Sequence, residues 1–191
     1  VVRLADGLVA KYGTGVRREE ANNQTFAYYN VDESILRVPR VFRFFEDTSQ
    51  GSRVGYLIME YIAGRRLDSI DLDCNPQVML DVAKAVLHLT TLPVPRNQPP
   101  GPVGGGVAYG YLWSDEGAQA PFDSVEDMQE WMNKRLAVVS RERLNIKPYK
   151  LVMCHMDLVR RNTVLLADTS ICFLDWAYAG FFPQVFEICY I

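Results

Sequence analysis

The sequence predicts an α+β fold in two parts, and three observations carry that expectation. Short β-type runs fill most of the N-terminal third, two helical stripes occupy the middle, and a loop followed by a hairpin fills Leu151 to Trp176. Gly64 in Ala63-Gly64-Arg65 interrupts the strand pattern and charged residues follow, which divides the chain into a part at 1–63 and a part at 64–191.

In chain order, Val1 to Leu4 and Leu8 to Lys11 flank Asp6-Gly7, a pair that tolerates the positive φ of a tight hairpin turn. Arg17 to Tyr29 reads as a helix with Ala21, Thr25, Tyr28 and Tyr29 on one moderately apolar face. Arg40 to Glu46 and Arg53 to Glu60 read as a second strand pair, and Pro39 holds its predecessor extended. Asn75-Pro76 starts a helix by cap and first-turn proline, and Val78, Val82, Ala85, Val86 and Leu89 form its buried stripe. His88 beside that stripe reads as a partly exposed helix histidine. Pro93 to Gly106 is too rich in Pro and Gly for regular structure and is expected to cross the surface as a loop. Gly104 to Gly106 has neither a strand before it nor a helix after it, so a phosphate-binding loop is not expected there. The role of 93–122 is otherwise open. Ser124 to Asp127 resembles a capping box and opens a helix to about Ser140, with Val125, Met128, Met132, Leu136 and Val139 inward. Tyr109, Tyr111, Trp113 and Trp131 either pack together or wall a pocket.

Composition narrows the function classes. The chain has 191 residues, is 49% hydrophobic and carries a formal charge of −3, so it offers no general attraction to nucleic acid or anionic membrane. No apolar run reaches membrane-spanning length. Cys74, Cys154, Cys172 and Cys189 lack metal-type spacing, and two lie in apolar runs, which fits a reducing, cytoplasmic setting.

The chemistry-bearing residues concentrate at the end. Leu151 to Met153 enters His155-Met156-Asp157, and Val164 to Leu166 with Ile171 to Leu174 form a hairpin about Asp168, Thr169 and Ser170. A hairpin returns its far end to its start, so Asn162 and Asp175 should face each other with Asp157 on the loop that feeds them. Two carboxylates and a carboxamide form an oxygen-only set suited to Mg²⁺. Asp and Asn also favour such places simply to cap their own backbone. The spacing His-x-Asp-x-x-x-x-Asn, then an Asp ending an apolar strand, is that of a kinase catalytic loop and metal-binding loop. His155 reads as a hydrogen-bonded brace for that loop, since Asp157 already fills the place of the base.

HMDLVRRN followed by FLDWAYAGFFP resembles the aminoglycoside phosphotransferase and choline kinase-like family, whose members carry His-Gly-Asp-Leu-x-x-x-Asn and then Ile-Asp-Trp. Trp176 separates this pattern from protein kinases, and the likeness is closest to the fungal branch. The resemblance implies a two-lobed protein kinase-like fold: a small antiparallel-sheet lobe with one helix, at 1–63, and a mainly helical lobe at 64–191. It implies transfer of the γ-phosphoryl group of ATP to the hydroxyl of a small molecule. Asp157 would accept the acceptor's proton, Asn162 and Asp175 would hold Mg²⁺, and Lys11 braced by Glu20 would hold the phosphates; Glu19 competes with Glu20 for that place. YLIMEY at 56–61 takes the place of a hinge strand, where main-chain groups of Glu60, Tyr61 and Ile62 would read the adenine edge. Glu187 stands where an acidic residue braces the catalytic loop. Arg160 and Arg161 either assist phosphate charge or sit exposed. The chain departs from the family in two ways: Met156 replaces a glycine, and the glycine-rich hairpin expected before Val1 is missing. With the stop inside FEICYI, this implies truncation at both ends. An inactive or nucleotide-binding-only pseudokinase serving as an interaction module is the alternative. No reading of oligomeric state emerges.

Overall fold

The structure is a computed structural model, and it describes residues 1–49, 51–114 and 116–188. Cys189 and the last residues of FEICYI lie outside that description. The fold is mixed α+β, with a four-stranded antiparallel sheet at the N-terminal end. Its order is β1 (Val2–Ala5), β2 (Leu8–Gly13), β5 (Val54–Glu60) and β4 (Val41–Asp47). β2 lies inside this sheet, flanked by β1 and β5.

Helix α1 (Arg18–Asn30) corrects one expectation. Its buried residues are Glu20, Ala21, Asn23, Gln24 and Ala27, while Thr25 and Tyr28 are half-buried and Tyr29 is 71% exposed. The buried face is polar, so a search for apolar periodicity chose the wrong stripe. The two buried amides are matched instead: Gln24 Nε2 donates to the Pro39 carbonyl at 2.7 Å, and Asn23 Nδ2 to the Ala179 carbonyl at 2.7 Å.

The remaining sheets interleave the two parts of the chain. β3 (Leu36–Arg37) pairs in parallel with β9 (Ile171–Phe173), which pairs with β8 (Thr163–Leu165) and through it with β6 (Arg65–Arg66). A Cβ at Gly64 would lie 2.7 Å from the Leu165 carbonyl oxygen, so the connecting segment passes β8 only as glycine. β7 (Leu151–Cys154) pairs antiparallel with β10 (Gly180–Pro183). Strand alternation then sends Met153 and Phe181 into one core and Val152, Cys154 and Phe182 into another.

The first core holds Leu36, Leu89, Phe173 and Trp176, and the second holds Trp113, Phe122, Met128 and Phe186. Helix α2 (Pro76–Leu89) contributes the expected stripe to the first, although Asn75 donates its amide to the Asp71 carbonyl rather than capping the helix. Helix α3 (Val125–Leu136) is capped by Ser124, whose hydroxyl accepts from the Asp127 amide at 3.1 Å. It stops short of Ser140 and leaves Val139 82% exposed. A short helix α4 (Val185–Ile188) follows β10. The helical share of the larger part, among the described residues, rests mainly on α2 and α3. The Pro and Gly loop is less superficial than expected: Pro100, Gly101 and Pro102 are buried, and Gly101 exchanges both backbone hydrogen bonds with Phe181.

Candidate active site

β7 delivers His155 directly from between the two cores, and three contacts lock the loop that follows. The Glu187 carboxylate accepts the His155 amide at 2.5 Å and the Met156 amide at 3.3 Å. The His155 ring donates from Nε2 to the Leu174 carbonyl at 3.0 Å while Nδ1 accepts the Asp157 amide at 3.3 Å. That pattern requires a neutral ring, and burial pushes its pKa down to about 4. His155 is therefore a brace, tying the loop to the residue before Asp175. Met156 adopts φ of 64°, a left-handed conformation that suits the glycine the motif resemblance implies there, and its side chain is buried in the second core.

Asp157 follows, largely buried, and accepts from Asn162 Nδ2 at 2.9 Å. Burial holds its carboxyl above the ordinary value, with Arg161, 3.8 Å away, pulling the other way. Its Oδ1 is buried and takes no hydrogen bond. Arg160 turns away from the site: its guanidinium donates to the carbonyls of Leu67 and Ile70 and pins the 160–162 turn to the 67–69 turn.

Asp175 follows β9 with φ of 64°, which Asp tolerates better than most residues. Its Oδ1 lies 2.9 Å from Lys11 Nζ, and the same Nζ lies 2.7 Å from Glu20 Oε1. Burial disfavours the charged lysine, but the two carboxylates outweigh it and hold the Lys11 pKa above its ordinary value. Glu19 lies instead beside Gly106, so the first-turn ambiguity is resolved in favour of Glu20 as the partner of Lys11.

Two cavities meet here. One of about 270 Å³ is lined by Val9, Met59, Leu174 and the 60–62 segment of Glu60, Tyr61 and Ile62. The other, about 730 Å³, is lined by Asp157, Arg17, Arg161, Tyr109, Tyr111 and Tyr178. Lys11 and Asp175 border both, and Asn162 borders the smaller. Of the amides in that segment, Glu60 donates to the Arg40 carbonyl and Tyr61 to the Gly7 carbonyl, each at 2.9 Å. The expected aromatic cluster splits: Trp113 and Trp131 pack in the second core, while Tyr109 and Tyr111 face the larger cavity.

The oxygen donors suit Mg²⁺. Mg²⁺ takes one or two carboxylates and completes its shell with phosphate and water; among the described residues no three His, Cys, Asp or Glu group together. The orphaned Asp157 Oδ1 and the Asn162 and Asp175 side chains supply oxygen.

Of the residues singled out from sequence, Lys11, Glu20, Asp157, Asn162 and Asp175 lie around one junction, beside the 60–62 segment. Asn23, Arg17 and Tyr178 were missed. Asn23 was hidden in a helix face that reads as polar, although buried Asn donates to the Trp176 carbonyl at 3.3 Å and accepts from the Val103 amide at 2.8 Å. Arg17, stacked 3.5 Å from the Tyr109 ring centroid, carried no sequence signal beyond its place at a helix start.

The sheet with one helix, the interior lysine and the loop-and-hairpin define a two-lobed kinase-like fold. Residues 15–191 match the phosphotransferase enzyme family, and the chain belongs to that family. A search of curated proteins finds no match. Solved structures give the same fold. The aminoglycoside phosphotransferase APH(4)-Ia is 15% identical with a TM-score of 0.62, over 96% of this chain and 63% of its own. APH(3'')-Id from Streptomyces rimosus is 18% identical with a TM-score of 0.53, over 97% of this chain and 69% of its own. Spectinomycin phosphotransferase APH(9)-Ia, in complex with ADP and spectinomycin, is 13% identical with a TM-score of 0.53, over 96% of this chain and 60% of its own. The chain therefore spans under two thirds of APH(4)-Ia.

Proposed function

We propose that this chain carries the nucleotide site and catalytic loop of an ATP-dependent, small-molecule phosphotransferase, with lobes at 1–63 and 64–191 working in the cytoplasm. The observation that carries the reading is Lys11 Nζ, held between Glu20 and Asp175 where the apolar pocket opens into the cavity of Asp157. The adenine enters the smaller pocket, where apolar walls suffice and the Ile62 amide is the hinge donor left to read its edge. Its phosphates then run past Lys11.

Asp157 accepts the proton of the acceptor hydroxyl as that oxygen bonds to the γ-phosphorus. The bond from phosphorus to the bridging oxygen breaks, and ADP leaves with the electron pair. The raised pKa of Asp157 favours this duty, and Asn162 holds its carboxylate in one orientation. Asn162 and Asp175 would hold Mg²⁺, which supplies neutralisation of the phosphate charge. His155 and Glu187 fix the loop and take no proton from the acceptor. Complexes of relatives with ADP or AMP-PNP and an aminoglycoside support the class of reaction.

Calorimetry with ATP, with and without Mg²⁺, and transfer from γ-labelled ATP to a panel of aminoglycosides and amino alcohols test the reading. Mg²⁺-dependent binding that is lost in Lys11→Ala is expected. Binding indifferent to both the metal and that substitution would overturn it.

A further inference from the structure

The larger cavity is uneven in charge. Arg17 and Arg161 both line it, Arg161 at 3.8 Å from Asp157, and neither borders the pocket of Glu60 to Ile62. The carboxylates among its described lining residues are Asp157 and Asp175. Asp175 is committed to Lys11 at 2.9 Å, and Asp157 is needed for the acceptor's hydroxyl. An ammonium group entering here meets two guanidinium groups and, among the described lining residues, no uncommitted carboxylate.

From this we infer that the acceptor is a hydroxyl compound bearing an oxyanion, a carboxylate or a phosphate, and no amine; the inference rests on reading this cavity as the acceptor site. Guanidinium is the side-chain group that matches such oxyanions, through paired N–H donors in one plane. Arg17 is preset, stacked 3.5 Å from the Tyr109 centroid and donating to the Gly15 carbonyl at 3.4 Å. Arg161 is hydrogen-bonded to Tyr111, and its side chain is 54% exposed, which lets it swing to an incoming anion. When it does, it leaves Asp157, whose carboxylate then faces the hydroxyl alone.

The same walls specify a flat scaffold. Tyr111 and Tyr178 meet edge to face with centroids 5.8 Å apart, and Tyr109 lies on the same cavity. A Cβ at Gly110 would come 3.0 Å from the Tyr178 ring, so the loop keeps this approach only with glycine at that position. Aromatic faces stack an unsaturated or sugar ring without needing charge. This acceptor chemistry differs from the aminoglycosides for which the solved relatives are named.

The test uses the whole chain and four probes with one scaffold: 2-(4-hydroxyphenyl)ethanol, its amine analogue, 4-hydroxyphenylacetate and 2-(4-hydroxyphenyl)ethyl phosphate. Binding is measured by calorimetry with and without Mg²⁺-AMP-PNP, alongside transfer from labelled ATP. The better oxyanion probe should bind about ten-fold tighter than the alcohol and tighter still than the amine, and comparing acetate with phosphate names the source. Arg161→Gln should bring that preference to within about two-fold while Mg²⁺-AMP-PNP affinity falls by less than the probe preference does, because Arg161 does not border the pocket of Glu60 to Ile62. Arg17→Gln should do the same in part. Tightest binding of the amine, binding of no probe, or a preference surviving in the double variant would each overturn the inference. Failure of Mg²⁺-AMP-PNP to bind would instead sink the phosphotransferase reading, since probe preference is read without nucleotide too.

Discussion

Asp175 Oδ1 and Lys11 Nζ stand 2.9 Å apart across 164 positions of sequence. The pair ties the end of the hairpin to the N-terminal sheet, and any cation bound by Asp175 must compete with that ammonium. Asp175→Asn should therefore weaken Mg²⁺-ATP by about ten-fold or more while changing metal-free ATP binding by under about two-fold. Titration calorimetry at matched ionic strength reads both. Equal losses with and without metal would remove Asp175 from the metal site.

Asp157→Asn should leave Mg²⁺-ATP affinity within about two-fold and reduce transfer by about 10² to 10⁴, since it removes the proton acceptor and not a nucleotide contact. Single-turnover transfer in the presence of saturating ATP separates the two. Retained transfer would place the base elsewhere.

Glu187 and His155 impose opposite pH dependences on folding. Burial raises the Glu187 pKa to about 7 from 4.5, so its contribution is full at low pH and is lost as pH rises from about 4.5 through 7. The His155 pKa falls to about 4 from 6.5, so its contribution is full above 6.5 and is lost as pH falls through about 4. In the wild type the two slopes oppose each other between these values. Glu187→Gln should uncover the histidine slope, with urea-unfolding stability climbing more steeply from pH 4 to 6.5 than in the wild type. Parallel profiles would show that Glu187 ionises normally.

Met156→Gly tests the departure from the family motif. Glycine relieves the left-handed backbone, but the buried side chain contributes about 2 to 3 kcal/mol and glycine adds freedom to the unfolded chain. We expect a net loss of about 2 kcal/mol, seen in thermal or urea unfolding. A gain in stability would mean the methionine is a strained misfit.

Asn23→Ala should cost about 2 to 4 kcal/mol, because it strands the Ala179 carbonyl and the Val103 amide and removes one of two donors from the Trp176 carbonyl, which keeps the Ala179 amide. Asn23→Asp should be no better, since it cannot donate to those carbonyls.

These variants also show what sequence could reveal. The loop, the hairpin and the Asp157, Asn162 and Asp175 set were legible because turn chemistry and strand runs act over short distances. The α2 stripe was legible because its burial is apolar and periodic. The buried face of α1 was not, since Glu20, Asn23 and Gln24 are buried by partners that lie elsewhere in the chain. The parallel pairing of Leu36–Arg37 with β9 escaped for the same reason: two residues carry no periodicity. Arg160 reads as a surface arginine until the Leu67 carbonyl is seen in front of it.

The ribbon of β7 and β10, wedged between two cores, has a consequence for divergence. Its amides should exchange with solvent only on global unfolding, whereas Tyr109 and Tyr111 of the loop at 109–114 face the larger cavity and can be replaced one at a time. Chemistry hangs from the first and the wall of the larger cavity from the second. Descendants of this chain can drift in what they accept, one tyrosine at a time, while Asp157 keeps its place.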